Sequence, residues 1–287
     1  MQKPVFNVII MSQIKNSSLD TRGFTLFERS AVRRMGRILA FANQKGGVGK
    51  TTTAVNTAAC LGSLGYDTLL IDLDPQGSAT SGVGVRKKGL RFTVRDVLVG
   101  GCRAEDAVLP TAYRKLSIIP SNISLAGAEF DLLAGEGDEA HLKKALADIQ
   151  YHYDYIIIDC PPSLGMLTIN ALAASDGVVI PMQCEYYALE GLTQLSTTLG
   201  HIKKRYNPRL CMTGILLTMH NPRLALSVQV KEELLRHYGD RVFTTTIGRN
   251  VRLSEAPSFG QPILYYDKRA KGAADYLAFA KELHERA

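Results

Sequence analysis

Twelve residues, Ala42-Asn43-Gln44-Lys45-Gly46-Gly47-Val48-Gly49-Lys50-Thr51-Thr52-Thr53, constrain this chain more than any other stretch. They close a short apolar run, Ile38–Ala42, and precede a helical pattern over Ala54–Leu64. A strand, a glycine-rich turn and a helix in succession make a loop that can wrap a phosphate. Gly46, Gly47 and Gly49 permit backbone angles that a Cβ forbids, so successive N–H groups can converge on an anion. The helix behind them adds about half a positive charge at its N-terminus. In such a loop Lys50 reaches the β- and γ-phosphates of a nucleotide, and the Thr51 hydroxyl holds Mg²⁺.

Two later stretches suit the same chemistry. Thr68-Leu69-Leu70-Ile71-Asp72 and Tyr155-Ile156-Ile157-Ile158-Asp159 are apolar runs ending in aspartate, the pattern of parallel strands buried on both faces. The first continues into Leu73-Asp74-Pro75-Gln76-Gly77. Ligands of open α/β sheets bind at the carboxyl ends of strands, where these aspartates fall. Asp72 and Asp159 are read as metal-shell carboxylates. Turn formation is the plain alternative for Asp72 and Asp74, since aspartate does this routinely.

Further strands are expected at Leu116–Pro120, Gly177–Pro181, Leu210–Met219 and Arg241–Ile247. Helices are expected near Thr93–Val99, Ala104–Val108, Leu125–Leu133, Glu139–Gln150, Leu189–Tyr206, Leu224–Tyr238 and Ala270–Glu285. This alternation predicts an α/β fold: a single P-loop NTPase domain with a mostly parallel twisted sheet and helices on both faces. Residues 35–287 make up that domain. Residues 1–34 show no sustained period and read as a poorly ordered extension, with a mis-assigned start ahead of Met35 as the alternative. They hold six basic residues against Asp20 and Glu28, so +4 of the net +7 lies there. A modest basic excess favours a polyanionic partner without proving one. The five cysteines are scattered, with no CxxC pair, as expected of reduced thiols. No apolar run approaches the roughly 20 residues of a membrane span.

The phosphate loop departs from the common GxxxxGK[ST] pattern, with Gln44 at the first glycine position and a second lysine, Lys45, beside it. This resembles the deviant Walker A motif, KGGxGK[ST], of the ParA/Soj/MinD ATPases. The resemblance to ParA/Soj proteins runs from Met35 to the C-terminus. It includes Asp72–Gly77, Asp159-Cys160-Pro161-Pro162-Ser163, Glu185-Tyr186-Tyr187-Ala188-Leu189-Glu190-Gly191 and Asn250-Val251-Arg252-Leu253-Ser254-Glu255-Ala256-Pro257-Ser258. Two departures stand out: Cys160 replaces an alanine, and Gly248 replaces a proline before Arg249-Asn250.

The resemblance implies a weak, Mg²⁺-dependent ATPase used as a switch. ATP closes a sandwich homodimer, the dimer binds double-stranded DNA without sequence preference, and a ParB-type partner stimulates hydrolysis and release. Lys45 would cross to the nucleotide of the other subunit, as an arginine finger does. The implied nucleotide contacts are Lys45, Gly46, Gly47, Val48, Gly49, Lys50, Thr51 and Thr52, with Arg249 and Asn250 beside the base. Lys45, Lys50 and Asp74 carry the chemistry, and Thr51, Asp72 and Asp159 the metal. An aspartate is a poor general base at neutral pH, its unperturbed pKa being about 3.9, so Asp74 would orient the attacking water. Arg223 and Arg252 are the implied DNA contacts. Such a protein works in the cytoplasm, on the nucleoid.

Three other roles compete. An orphan relative positioning a protein cargo would share every motif above. A MinD-like division-site regulator needs a membrane-binding amphipathic C-terminal helix. Lys271–Ala287 carries Asp275, Glu282 and Glu285 and a small apolar face, so it is expected to pack rather than bind a membrane. A reductase of the nitrogenase iron-protein type needs cluster cysteines, and Cys102 and Cys160 do not stand in that context.

Overall fold

The computed structural model describes residues 35–134, 140–185 and 188–286; the extension expected over 1–34 lies outside them. Eight strands form one sheet in the order β3-β4-β2-β5-β1-β6-β7-β8. They are β1 (Arg37–Phe41), β2 (Thr68–Asp72), β3 (Leu109–Pro110), β4 (Leu116–Ile119), β5 (Tyr155–Asp159), β6 (Gly177–Gln183), β7 (Cys211–His220) and β8 (Val242–Gly248). Every pairing is parallel except the short β3–β4 ladder at one edge.

Side chains alternate across a strand, so each central strand supplies both faces of the sheet. Ile38 and Ala40 join Leu69, Ile71, Ile156, Ile158 and Val178 in one core. Leu39 and Phe41 join Leu70, Ile157, Val179 and Leu216 in the other. Leu192, Leu195 and Leu199 of the helix Ala188–Arg205 close the first core. The helices Lys50–Leu64 and Lys271–Arg286 cover the second with Ala54, Ala58, Leu61, Tyr276, Phe279 and Leu283.

The C-terminal helix thus spends its apolar face on the core, as expected of a packing helix. Among the described residues no helix is long and apolar enough to cross a membrane. The same helix also tends the edge strand. Glu282 accepts hydrogen bonds from the Thr244 and Thr245 N–H groups at 2.7 and 2.8 Å, and from Arg286 at 2.6 Å. Burial alone would raise its pKa, but the Thr245 hydroxyl, these N–H groups and Arg286 together hold it below the ordinary glutamate value. A depressed carboxylate pKa gives stability that is present above the unfolded-state value and lost as pH falls through the folded one. Glu282→Ala removes both hydrogen bonds to these strand N–H groups, a net cost of about 1–3 kcal/mol at about 0.5–1.5 kcal/mol for each. In a domain of this size the melting temperature should fall by about 5 °C at pH 7, and by less at pH 3.5, read by thermal denaturation at both values.

The helix Met166–Ala174 has no counterpart in the sequence reading. Leu167, Thr168 and residues 170–174 are all buried, so it carries no polar stripe to betray a helical period. The helix expected over Glu139–Gln150 is regular only over His141–Leu146, and residue 139 lies outside the described residues. Beyond Leu146 the bonds tighten to i→i−3, from Ala147 N to Lys144 O and Ile149 N to Leu146 O.

Candidate active site

The phosphate loop leaves the carboxyl end of β1, between β5 and β6. The chain passes from β1 to β2 on one side of this strand and from β5 to β6 across it, which makes the loop a topological switch point. Gly47 and Gly49 take left-handed angles, φ 74° and 85°, so both need glycine. Gly46 does not, contrary to the expectation for all three, and a Cβ there would meet no atom within 4 Å. The N–H groups of Gly46, Gly47 and Gly49 find no acceptor among the described residues.

Val48 is buried beneath the loop and Lys50 is only 6% exposed. The Lys50 ammonium donates to the Lys45 carbonyl at 3.0 Å, so it lies across the loop it would share with a phosphate. Burial lowers its pKa, against the opposing pull of Asp159. Thr53 anchors the helix start, donating to the Gly49 carbonyl at 2.6 Å. Lys45 is exposed and ion-paired with Glu185 of the same chain.

Asp72 and Asp159 stand opposite each other on paired strands, both fully buried. Asp72 is satisfied: it accepts from the Asp74 N–H at 3.2 Å and from the Thr80 N–H and hydroxyl, each at 2.7 Å. Asp159 is not, since neither carboxylate oxygen has a partner at full hydrogen-bonding geometry, the Thr51 hydroxyl lying near without reaching it. Burial, then the charge of Asp72, pushes Asp159 well above the ordinary carboxylate range, with the nearby Thr51 hydroxyl opposing. Burial likewise pushes Asp72 up to about 6, despite its bonds from Thr80. A cation would reverse both shifts. Among the described residues no three His, Cys, Asp or Glu side chains converge into a metal cage. Mg²⁺ needs none: it takes one or two protein oxygens and completes its shell with water and substrate phosphates. An orphaned buried carboxylate beside Thr51 fits that requirement.

Asp74 takes the turn-forming part considered for it. Its Oδ1 accepts from the Gln76 N–H at 2.8 Å, forming the turn, while the residue stays 8% exposed near Lys50. Ser121, unremarked in the sequence reading, fixes this turn by donating to the Asp74 carbonyl at 2.8 Å. Gly77 (φ 63°) must be glycine, because a Cβ would lie 2.8 Å from the Ser121 carbonyl oxygen.

A cavity of about 370 Å³ adjoins the loop, lined by Gly49, Thr52, Thr218, Arg249, Asn250 and Tyr276 among others. Arg249 and Asn250, the residues expected beside a nucleotide base, thus share a cavity with the loop. Asn250 also caps the short helix Val251–Glu255, accepting from the Arg252 N–H at 2.9 Å. Gly248 donates its N–H to Asp275 at 3.1 Å, a bond that proline could not make. Arg223 and Arg252 lie off the loop. Arg223 is exposed after β7 beside a second cavity of about 550 Å³ shared with Arg249 and Lys271. Arg252 is salt-bridged to Glu255 at 2.8 Å and lies 3.7 Å from Asp267. Cys160 is a buried core residue whose thiol is pushed up by burial, as an inert cysteine should be.

An anion cradle at the switch point of a mostly parallel sheet, with an open carboxylate on the neighbouring strand, defines a P-loop NTPase. A family model described as an AAA domain matches residues 36–212. The chain is 54% identical over 249 residues to the sporulation initiation inhibitor protein Soj of Bacillus subtilis, covering 87% of this chain and 98% of that protein. It is 50% identical over 252 residues to the chromosome partitioning protein ParA of Myxococcus xanthus, covering 88% and 89%. Among solved structures it resembles the cobyrinic acid a,c-diamide synthase of Mycobacterium smegmatis with bound ADP and magnesium. That likeness has a TM-score of 0.76 at 38% identity, over 86% of this chain and 93% of the other. The chain belongs to the ParA/Soj family of partitioning proteins.

Proposed function

We propose that this protein is a partition ATPase whose Mg²⁺–ATP-bound form is a DNA-binding homodimer, released from DNA by partner-stimulated hydrolysis. The observation that carries the reading is the pairing of a preformed anion cradle with the unpartnered Asp159 carboxylate. Identities of 50% to a chromosome partitioning protein ParA and 47% to a chromosome-partitioning ATPase Soj, against 38% to the synthase-named protein, favour partition over amide synthesis. Thr51 and Asp159 would hold Mg²⁺, which when bound neutralises charge on the phosphates; Asp72, engaged with Thr80, adds negative charge from the next strand.

Lys50 binds the phosphates within the subunit, exchanging its bond to the Lys45 carbonyl for a charged oxygen. Asp74 keeps one oxygen for its turn and offers the other to the attacking water. Lys45 supplies the second cation from the other copy, leaving Glu185 as it does so. The terminal phosphoryl group is thereby surrounded by positive charge only when two copies close. The partner that stimulates hydrolysis is a ParB-type protein, and the cargo is DNA.

DNA binding is tested by measuring affinity of the ATP-bound form for unrelated duplexes across a salt series. Arg223 has no acidic partner among the described residues, whereas Arg252 is held by Glu255 and Asp267. Arg223→Ala removes two phosphate contacts per dimer and should flatten the slope of log K against log salt by about 1.8. Arg252→Ala should flatten it less. Unchanged slopes in both variants would remove these arginines from the DNA surface.

A further inference from the structure

The Gly47 and Val48 carbonyl groups of the phosphate loop are held, whereas the Gly46, Gly47 and Gly49 N–H groups find no acceptor among the described residues. Gln183, the last residue of β6, donates from Nε2 to the Gly47 carbonyl at 2.8 Å. Thr218, near the end of β7 and 2% exposed, donates from Oγ1 to the Val48 carbonyl at 2.7 Å. These two oxygens belong to the peptide units that carry the Val48 and Gly49 N–H groups. A trans peptide is planar, with its C=O and N–H pointing in opposite directions. Tying the oxygens to the ends of β6 and β7 therefore turns both N–H groups away from those strands. The left-handed Gly47 and Gly49 are the residues that let the backbone follow.

Gln183 has a second contact as well, from Nε2 to the Met219 sulfur at 3.0 Å, and Met219 itself sits at φ 50°, a strained angle for a residue with a Cβ. Strain of this kind persists only where surrounding contacts dictate it, and it falls here at the strand end that grips the loop.

We infer that Gln183 and Thr218 are positioning residues that preorganise the loop for a polyphosphate. Without them the two peptide units can rotate, and part of the binding free energy goes into orienting dipoles that are now fixed in advance. The inference rests on the proposed nucleotide-binding role of the loop and deepens it.

The test is calorimetric titration of the full chain with Mg²⁺–ATP and, separately, inorganic pyrophosphate. Thr218→Val and Gln183→Leu should each weaken both ligands about tenfold, the scale of one lost hydrogen bond to a charged group. The losses should match for ATP and pyrophosphate, because they arise at the phosphates and not at the base. Thr218→Ser restores the donor and should bind within about twofold of the wild type. A purely structural role would not produce this equal loss together with rescue by the hydroxyl alone. Gln183 is half-exposed, so Gln183→Leu decides the matter even if Thr218→Val folds poorly. Lys50→Ala separates the two levels of failure. If the wild type does not bind ATP, the nucleotide reading itself falls. If Lys50→Ala weakens binding while Gln183→Leu and Thr218→Val bind like the wild type, this inference alone is overturned.

Discussion

Replacing Asp74 with alanine is expected to reduce ATP turnover by at least about 100-fold, the low end of what a positioned acid–base or water-orienting group contributes. ATP binding should stay within a few fold of the wild type, because Asp74 supplies no part of the loop that faces the phosphates. The turn should survive as well, since the Ser121 hydroxyl and the Gly77 N–H still bond the residue 74 carbonyl. The variant should therefore accumulate in its ATP-bound state and stay on DNA. Steady-state phosphate release and filter binding to a duplex together check this. Wild-type turnover in Asp74→Ala would reduce the residue to a turn former.

The second large effect concerns Asp159 and has opposite signs in two assays. In the nucleotide-free chain its carboxylate is buried, unpartnered and faces Asp72. Such a group costs stability, so Asp159→Asn should melt higher than the wild type by roughly 2–5 °C, equivalent to about 1–2 kcal/mol. With Mg²⁺ and ATP the order should invert. The wild type gains stability from the bound ligands by mass action, whereas the variant gains little and loses turnover. Thermal denaturation with and without Mg²⁺–ATP gives both readings. A variant that melts lower in the free state, yet keeps the ligand-induced shift, would show that Asp159 is an ordinary structural carboxylate.

How much of this was legible in the sequence depends on whether a residue's role is local. β2 and β5 are found at the expected bounds because each is a continuous apolar run closed by an aspartate. The phosphate loop is as plain, since its glycines, Lys50 and Thr51 act through their own backbone and neighbours. Gln183 and Thr218 were not legible. They lie 136 and 170 residues from the carbonyls they hold, and nothing local separates them from other polar residues at strand ends. Thr80, which saturates Asp72, was hidden for the same reason. The sequence could also suggest equal standing for Asp72 and Asp159. Only the hydrogen bonds reveal that one carboxylate is spoken for and the other open.

Arg223 and Arg252 illustrate the converse. As sequence positions they look equivalent, two arginines after late strands. Among the described residues Arg223 lines a cavity with no acidic partner, while Arg252 is held by Glu255. An exposed ion pair of this kind is weak and screened by solvent, too weak to forbid a phosphate contact but enough to weaken one.

The central claim is that ATP closes two copies around their nucleotides, with Lys45 crossing between them. The most direct measurement is the molar mass of the full chain in solution by light scattering, with no nucleotide, with Mg²⁺–ADP and with Mg²⁺–ATP, for the wild type and Lys45→Ala. Using the Asp74→Ala background keeps hydrolysis from eroding the ATP state. A monomer near 31.4 kDa is expected without nucleotide and with ADP, and twice that mass with ATP. Adding Lys45→Ala should leave ATP bound and the mass at one chain. A mass that ignores the nucleotide, or a Lys45→Ala chain that still doubles with ATP, would contradict the claim.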